Sequence, residues 1–353
     1  MKKMKSLLES SVLYTIIAIV IGFIIGAIFL AIVGISPAEA YGKLLNGIFG
    51  KPKFMIWTLV YAAPLIFTGL SVAFSLRTGV FNIGAEGQFV VGAMAACAFG
   101  ILVKLPPVIH AIACVIVAAF AGFIWSYLVG LLKVKRGIHE VLSFIMFNWI
   151  AFYLSNFLVN TKTLHKEGSG EATKNVLDSA RLLFPEGILK ALDCTGANWG
   201  FFLAIIAAVA MWIIIEKTTL GYKLKAVGFN KDAATFGGIN ADRSILTALG
   251  ISGALAGIGG AVQVLGMAGR ISQFAGQEGY GFQGITVALI AGSNPLGCIL
   301  SGIFYGAMKY GGAKLTMVGA PEEVIDIIMG CVIIFIAISG VFKALFLKAM
   351  KKK

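Results

Sequence analysis

Long apolar runs recur along this 353-residue chain, and short polar segments separate them. A helix needs about 20 apolar residues to cross roughly 30 Å of hydrocarbon. Membrane barrel strands alternate apolar and polar residues over about ten positions, and these runs do not alternate. The pattern predicts an all-α fold, a polytopic transmembrane bundle of about ten spans. The predicted crossings are residues 12–33, 54–76, 89–103, 108–132, 140–158, 200–215, 245–268, 281–293, 296–310 and 323–342.

The distribution of basic residues favours ten crossings over nine. Only Ser293-Asn294-Pro295 separates the eighth run from the ninth, so nine continuous spans is the rival count. With ten spans and the N-terminus inside, the cytoplasmic segments hold 17 lysines and arginines, against seven in the short outer segments. Basic residues favour the cytoplasmic side. We therefore expect a multi-pass protein of the cell membrane with both termini in the cytoplasm.

Composition excludes several classes of function. Hydrophobic residues make up 59% of the chain and charged residues only 13%, whereas soluble domains carry about 25% charged residues. The net charge of +13 is spread over both predicted faces, which argues against nucleic-acid binding. The five cysteines have no metal-site spacing, and no Walker A phosphate loop is present. We expect no enzyme activity, no cofactor, no metal, and membrane lipid as the surroundings.

The first apolar run resembles a signal peptide in one respect. It follows Lys2 and Lys3 and precedes Ala38-Glu39-Ala40, a cleavage-like sequence. A signal h-region is about 7–15 residues, and this run is longer. An uncleaved first helix is therefore expected.

A polar segment, residues 77–88, separates the second and third runs and is called the first interruption. Its polar side chains include Asn82, Glu86 and Gln88. Broken backbone at membrane depth is tolerated where protein buries it or where it lines a wet cavity. Two interpretations stay open. These residues line a substrate pathway, or Glu86 and Gln88 cap the helix that follows.

A second interruption, residues 270–295, lies in the other half of the chain. It holds Arg270, Gln273, Gln277 and Glu278, then Phe282 and Gln283, and ends at Asn294-Pro295. Paired broken segments point to a translocation site between internal repeats. The repeats would be residues 12–158 and 200–342 of one permease domain, joined by outer loop 159–199.

Asn148, in the fifth run, is a further polar residue at membrane depth. It lies eight residues after Glu140, about 12 Å into the helix. A lone amide there either joins helices or lines the pathway.

Residues 216–244 form the largest loop that the charge bias places inside. Asp232, Ala233 and Ala234 can begin a short helix, and Gly237-Gly238 can end it. Such a helix on the inner face is suited to docking a cytoplasmic partner.

Motifs along residues 36–300 resemble a known family. Asp232-Ala233-Ala234 with Gly237-Gly238-Ile239 is similar to the coupling-loop pattern of ABC-importer permeases, in the form of the ribose and branched-chain amino-acid permease superfamily. The matches to its nucleoside (guanosine-type) branch are Pro37–Tyr41 with Gly47–Gly50, Phe81–Gln88, Glu140-Val141 with Asn148–Ala151, and Gly281–Ile285 with Asn294–Gly297. His139 stands where Asn is common, and Gln283 where Asp is common.

The resemblance implies a permease subunit that forms the pathway for a purine nucleoside such as guanosine. Its implied partners are a cytoplasmic ABC ATPase, a second homologous permease and an extracellular substrate-binding lipoprotein. A pentose or other simple sugar is the rival substrate. An ion-coupled secondary transporter using Glu86 is the alternative of another class, and it would need no coupling loop.

Overall fold

The computed structural model describes residues 11–168, 170–320 and 323–351, and these residues form helices and connecting loops. The two ends of the chain, residues 1–10 and 352–353, whose cytoplasmic location the charge bias predicts, lie outside the described residues. The α-helices are α1 Ser11–Ile32, α2 Pro37–Phe49, α3 Pro52–Leu76, α4 Ala85–Leu102, α5 Ile109–Arg136, α6 Glu140–Val159, α7 Glu186–Ala191, α8 Gly200–Lys217, α9 Thr219–Phe229, α10 Lys231–Phe236, α11 Ala241–Gln263, α12 Tyr280–Ile290, α13 Pro295–Gly312 and α14 Glu323–Lys351.

Seven helical segments of the described chain are long and apolar enough to cross a membrane. They are Leu13–Ile32, Pro52–Leu76, Ala85–Leu102, Ile109–Arg136, Glu140–Val159, Gly200–Lys217 and Ala241–Ala268. They coincide with the first seven predicted crossings, so the multi-pass helical fold is confirmed. The eighth predicted crossing contains only α12, whose 11 residues extend about 17 Å. The ninth and tenth coincide with α13 and α14, which are not among the seven, so the count of ten is not confirmed.

The helices group into two compact units. One comprises residues up to Thr58 together with residues from Ala307 onward, and the other comprises Leu59–Gly306. In the first unit α1 packs on α14, because Gly22 and Gly26 present no side chain to Val332 and Ile328. The small-xxx-small spacing of these glycines predicts this close packing, which is confirmed.

Glycine contacts also bring α4, α5 and α11 together in the second unit. A Cβ on Gly253 or Gly257 of α11 would overlap the backbone of Gly122 or Ala118 in α5. A Cβ on Gly92 of α4 would overlap the backbone of Gly257. The hydrophobic effect does not drive helices together in lipid, so van der Waals contacts at these close backbone approaches stabilise the packing instead.

Helix α12 runs parallel to the second half of α3. Gly284 lies against Thr68, and Gly69 lies against Val287 further along both helices. At the ends of the two helices the Arg77 Nε donates to the Ser293 carbonyl at 3.0 Å. Segment 269–279, which precedes α12, is not helical. The helical backbone is thus broken in the second interruption, as the sequence predicts.

The loops of this second unit collect at its two ends. At one end Gly79 lies against Gly228 of α9. At the other end the Leu177 N–H donates to the Gly100 carbonyl at 3.0 Å. There too the Thr173 N–H donates to the Ile271 carbonyl at 2.9 Å. The first interruption therefore shares an end with loop 216–244, and loop 159–199 covers the opposite end.

Candidate translocation site

A buried amide cluster occupies the first interruption. The Asn82 Nδ2 donates to the Gln88 Oε1 at 2.8 Å, and the Gln88 Nε2 donates back to the Asn82 Oδ1 at 2.9 Å. The Asn82 amide also reaches the hydroxyls of Ser71 in α3 and Ser252 in α11, at 3.1 and 2.6 Å. All four side chains are fully buried. The cluster therefore joins three helices at the point where the backbone between α3 and α4 is not helical.

Glu86 joins the two interruptions directly. Its Oε1 accepts the Gly279 N–H at 2.7 Å, and its Oε2 accepts the Gly281 N–H at 2.6 Å. Both N–H groups lie at the start of α12, where helix N–H groups lack intrahelical acceptors and favour an anion. Gly281 also lies directly against the Glu86 backbone, leaving no room for a Cβ. The carboxylate thus caps the start of α12, a helix of the other half of the chain.

Asn148 fixes the start of α4 from helix α6. Its Oδ1 accepts the Gly87 N–H at 2.9 Å, and its Nδ2 donates to the Ile83 carbonyl at 3.1 Å. Both contacts are to backbone groups, and the side chain is buried. Asn148 thus joins α6 to the start of α4 and to the non-helical backbone that precedes it.

Phe282 and Gln283 differ from the four polar residues above. Phe282 is 37% exposed, and Gln283 is half-buried in the first turn of α12. Of the six predicted pathway residues, these two border accessible space, whereas Asn82, Glu86, Gln88 and Asn148 are buried among protein groups.

Loop 216–244 contains the predicted short helix. Helix α10 spans Lys231–Phe236, and the Asn230 Oδ1 caps it by accepting the Ala233 N–H at 2.9 Å. Asp232 lies in its first turn and Ala234 is buried. Phe236 and Phe229 are 94% and 89% exposed. The loop thus presents two large aromatic rings to the surroundings of the chain.

The left-handed residue that ends α10 is Gly238 and not Gly237. Gly237 has φ −76°, which any residue adopts, whereas Gly238 has φ +81°. A branched side chain would therefore strain the exit of α10 at residue 238 and not at residue 237. Sequence analysis also missed α9, the preceding helix, whose Leu224 and Val227 are buried.

A hydrophobic cluster connects this loop with the first interruption. Val227 and Ala234 of the loop belong to the same buried cluster as Val80 beside Asn82 and Phe144 of α6. Ile83 packs against it from the interruption. Helix α10 and the segment that holds Asn82 and Glu86 are therefore packed against one hydrophobic cluster.

The sequence as a whole matches a family described as the permease component of the branched-chain amino acid transport system, over residues 54–337. The chain belongs to this permease family. Among its relatives, the guanosine ABC transporter permease protein NupP of Bacillus subtilis is 38% identical, over 97% of this chain and 98% of that protein. The nucleoside permease protein NupB of Lactococcus lactis is 34% identical, over 96% and 94%. The glucose permease protein TsgB13 of Haloferax volcanii is 28% identical, over 93% and 87%. No solved structure gives a significant match.

These similarities confirm the resemblance found in the motifs and place the chain among ABC transporter permeases, which are not enzymes. The family and the seven apolar helices together establish a multi-pass membrane protein.

Three polar residues of the permease were not predicted from the sequence, although the structure places them at buried or cavity-lining positions. Ser71 and Ser252 lie in apolar runs and gave no local signal, although they join the amide cluster. Gln263 is a lone amide within the apolar run 245–268. Like Asn148, Gln263 is an amide within an apolar run, and this is the signal by which the sequence could have identified it.

Proposed function

We propose that this permease forms the pathway for a purine nucleoside such as guanosine in an ABC importer. The observation that carries the proposal is the near full-length similarity to two permeases named for guanosine and nucleosides. The motifs of the two interruptions, Phe81–Gln88 and Gly281–Ile285, support it because they are the segments that meet in the fold.

Three protein partners complete the proposed importer. A cytoplasmic ATPase supplies the energy, since the chain carries no Walker A loop. It binds α10 together with the exposed rings of Phe229, at the end of α9, and Phe236, at the end of α10. A second homologous permease encloses the pathway together with this one. An extracellular lipoprotein delivers the nucleoside at the end covered by loop 159–199. ATP-driven movement of α10 then reaches Val80 and Ile83 through the hydrophobic cluster.

The six candidate pathway residues divide into two roles in this proposal. Asn82, Gln88 and Asn148 hold the non-helical backbone in place, and Glu86 positions α12. Phe282 and Gln283, on the accessible part of α12, face the nucleoside.

In the proposed topology the chain crosses the cell membrane about ten times, with both termini and loop 216–244 in the cytoplasm. In a background lacking the five cysteines, we expect Asn175→Cys to react with a membrane-impermeant maleimide in intact cells and Lys223→Cys to react only after lysis. Both positions are exposed, so accessibility in the folded chain does not limit the reaction. Labelling of residue 223 but not of residue 175 in intact cells would show that the topology is the opposite of the proposed one.

The substrate is tested by uptake into proteoliposomes that hold the full transporter and its lipoprotein. We expect ATP-dependent uptake of tritiated guanosine that excess inosine inhibits and that excess ribose or glucose leaves unchanged. The sugar competitors are included because one of the relatives is a glucose permease. Inhibition by glucose or ribose alone would assign a sugar. Uptake that follows an ion gradient without ATP would assign a secondary transporter.

A further inference from the structure

A cavity of about 180 Å³, with apolar walls and a few polar side chains, lies beside the π-helical turn Val264–Ala268 that ends α11. Its lining includes the side chains of Gln263, Arg270, Gln273 and Glu278, and the ring of Phe274. Ligand pockets combine apolar walls with a few convergent polar groups. None of these residues belongs to the buried amide cluster of the first interruption.

Two of the lining groups have no partner in the protein. Neither the Gln263 amide nor the Arg270 guanidinium makes a hydrogen bond or an ion pair with any residue that the structure describes. Gln263 belongs to the apolar segment Ala241–Ala268. A polar side chain within such a segment is expensive unless it meets a partner or a wet cavity. A ligand that accepts and donates hydrogen bonds would satisfy the half-buried Gln263 amide, and the guanidinium of Arg270, which is exposed beside the same cavity, is accessible to that ligand.

The cavity lies between loop 159–199 and the Glu86 contact. On one side the Ile271 N–H donates to the Thr173 Oγ1 at 3.1 Å. On the other side the next residues of the chain are Gly279, held by Glu86, and Tyr280, whose ring stacks on that of Phe89 at 5.1 Å. A molecule entering past the loop reaches the cavity before it reaches α12.

We propose that this cavity binds the base of an oxopurine nucleoside. This rests on the proposed function and adds the atoms that read the base. Arg270 donates in pairs to O6 and N7, the acceptor edge that arginine prefers on guanine. The Glu278 carboxylate accepts from N1–H and the 2-amino group, and Gln263 completes the polar contacts. The ring stacks on Phe274, as bases do on aromatic side chains.

The cavity volume fits one part of the nucleoside. Whole-ligand pockets are about 300–1,000 Å³, and this cavity is smaller. The base therefore occupies the cavity, and the ribose remains in the pathway shared with the second permease. That arrangement makes the base, and not the sugar, the part of the ligand that this chain recognises.

The test uses the purified full transporter without its lipoprotein, so that the selectivity of the lipoprotein does not enter. Tritiated guanosine is the probe, and unlabelled inosine, adenosine and ribose are competitors. We expect Arg270→Lys, which keeps the charge and loses the paired donors, to weaken guanosine binding roughly tenfold, the value of one bidentate base contact. Gln263→Leu should weaken it several-fold. Lys162→Gln, an exposed charge change in loop 159–199, is the control and should bind as wild type does.

The outcomes separate this inference from the proposed function. Binding that inosine displaces and ribose does not, with both cavity variants weakened, supports the inference. Binding by Arg270→Lys and Gln263→Leu within twofold of wild type overturns it, as does displacement by ribose or absence of guanosine binding to the wild-type complex. If lipoprotein-dependent guanosine uptake persists in those cases, the proposed function stands without this site. Co-purification with the ATPase confirms that each variant is assembled.

Discussion

We expect Glu86→Gln to lower uptake about tenfold or more while the protein still inserts and assembles. The glutamine keeps one acceptor oxygen but turns an NH₂ group toward one of the two N–H groups, those of Gly279 and Gly281, that the carboxylate now accepts. Leaving one such group unsatisfied costs about 1–3 kcal/mol, and 1.4 kcal/mol corresponds to a tenfold change in an equilibrium. Glu86→Ala removes both acceptors and should have the larger effect.

Uptake of labelled nucleoside and the thermal stability of the purified transporter are measured together. Glu167→Gln, an exposed carboxylate in loop 159–199, is the matched control and should match wild type in both assays. Wild-type uptake by Glu86→Gln would show that the start of α12 does not depend on this contact. Loss of the assembled complex in Glu86→Gln would instead make the residue a determinant of folding.

The second large effect is expected at the exit of α10. Gly238 has φ +81°, so Gly238→Val forces a branched side chain into the left-handed region. We expect this variant to lose most of the co-purifying ATPase and of ATP-driven uptake. Asp232→Lys should act in the same direction, because it places a cation in the first turn of a helix, where the dipole favours an anion.

Gly237→Ala is the matched control for this experiment. Residue 237 has φ −76°, and an added Cβ would meet its nearest atoms at 3.4 and 3.5 Å, an ordinary contact. It should retain the ATPase and transport. Nucleoside binding should be unchanged in all three variants, since loop 216–244 and loop 159–199 lie at opposite ends of the second unit. If Gly238→Val and Asp232→Lys retain both the ATPase and wild-type uptake, α10 is not the docking element.

Local features of the chain were predictable from the sequence because each rests on neighbouring residues. The seven long apolar segments are recognisable by their length. A segment that crosses the membrane must form its backbone hydrogen bonds within itself, so a long apolar run indicates a helix. Helix α10 follows from Asp232 and the paired glycines after it. Helix α9 was missed because Gly221 and Gly228 weaken its helical propensity, and packing of Leu224 and Val227 stabilises it instead.

The candidate site depends on pairs far apart in the chain, which local patterns do not specify. The Asn82 amide meets Ser252, 170 residues away, and Glu86 meets Gly281, 195 residues away. The sequence indicated that each interruption was unusual but not that one caps the other. The sequence also did not indicate which of the amides at membrane depth have hydrogen-bond partners in the protein. The amides of Asn82 and Gln88 in the polar segment 77–88 are satisfied by protein groups, whereas the amide of Gln263, in the apolar segment Ala241–Ala268, has no partner among the residues that the structure describes.

The π-helical turn at the end of α11 has a consequence for how paralogues diverge. The Gly269 N–H reaches back five residues to the Val264 carbonyl at 2.7 Å, so this turn holds one residue more than an α-helical turn. Each residue of an α-helix advances the chain by about 100°. A one-residue deletion within 264–268 would therefore turn Arg270 away from Gln263 while leaving both residues and the whole preceding helix in place. We expect an insertion or deletion at this turn to reorient Arg270 relative to Gln263, and so to alter ligand choice at the proposed base site, without replacing either of these two side chains.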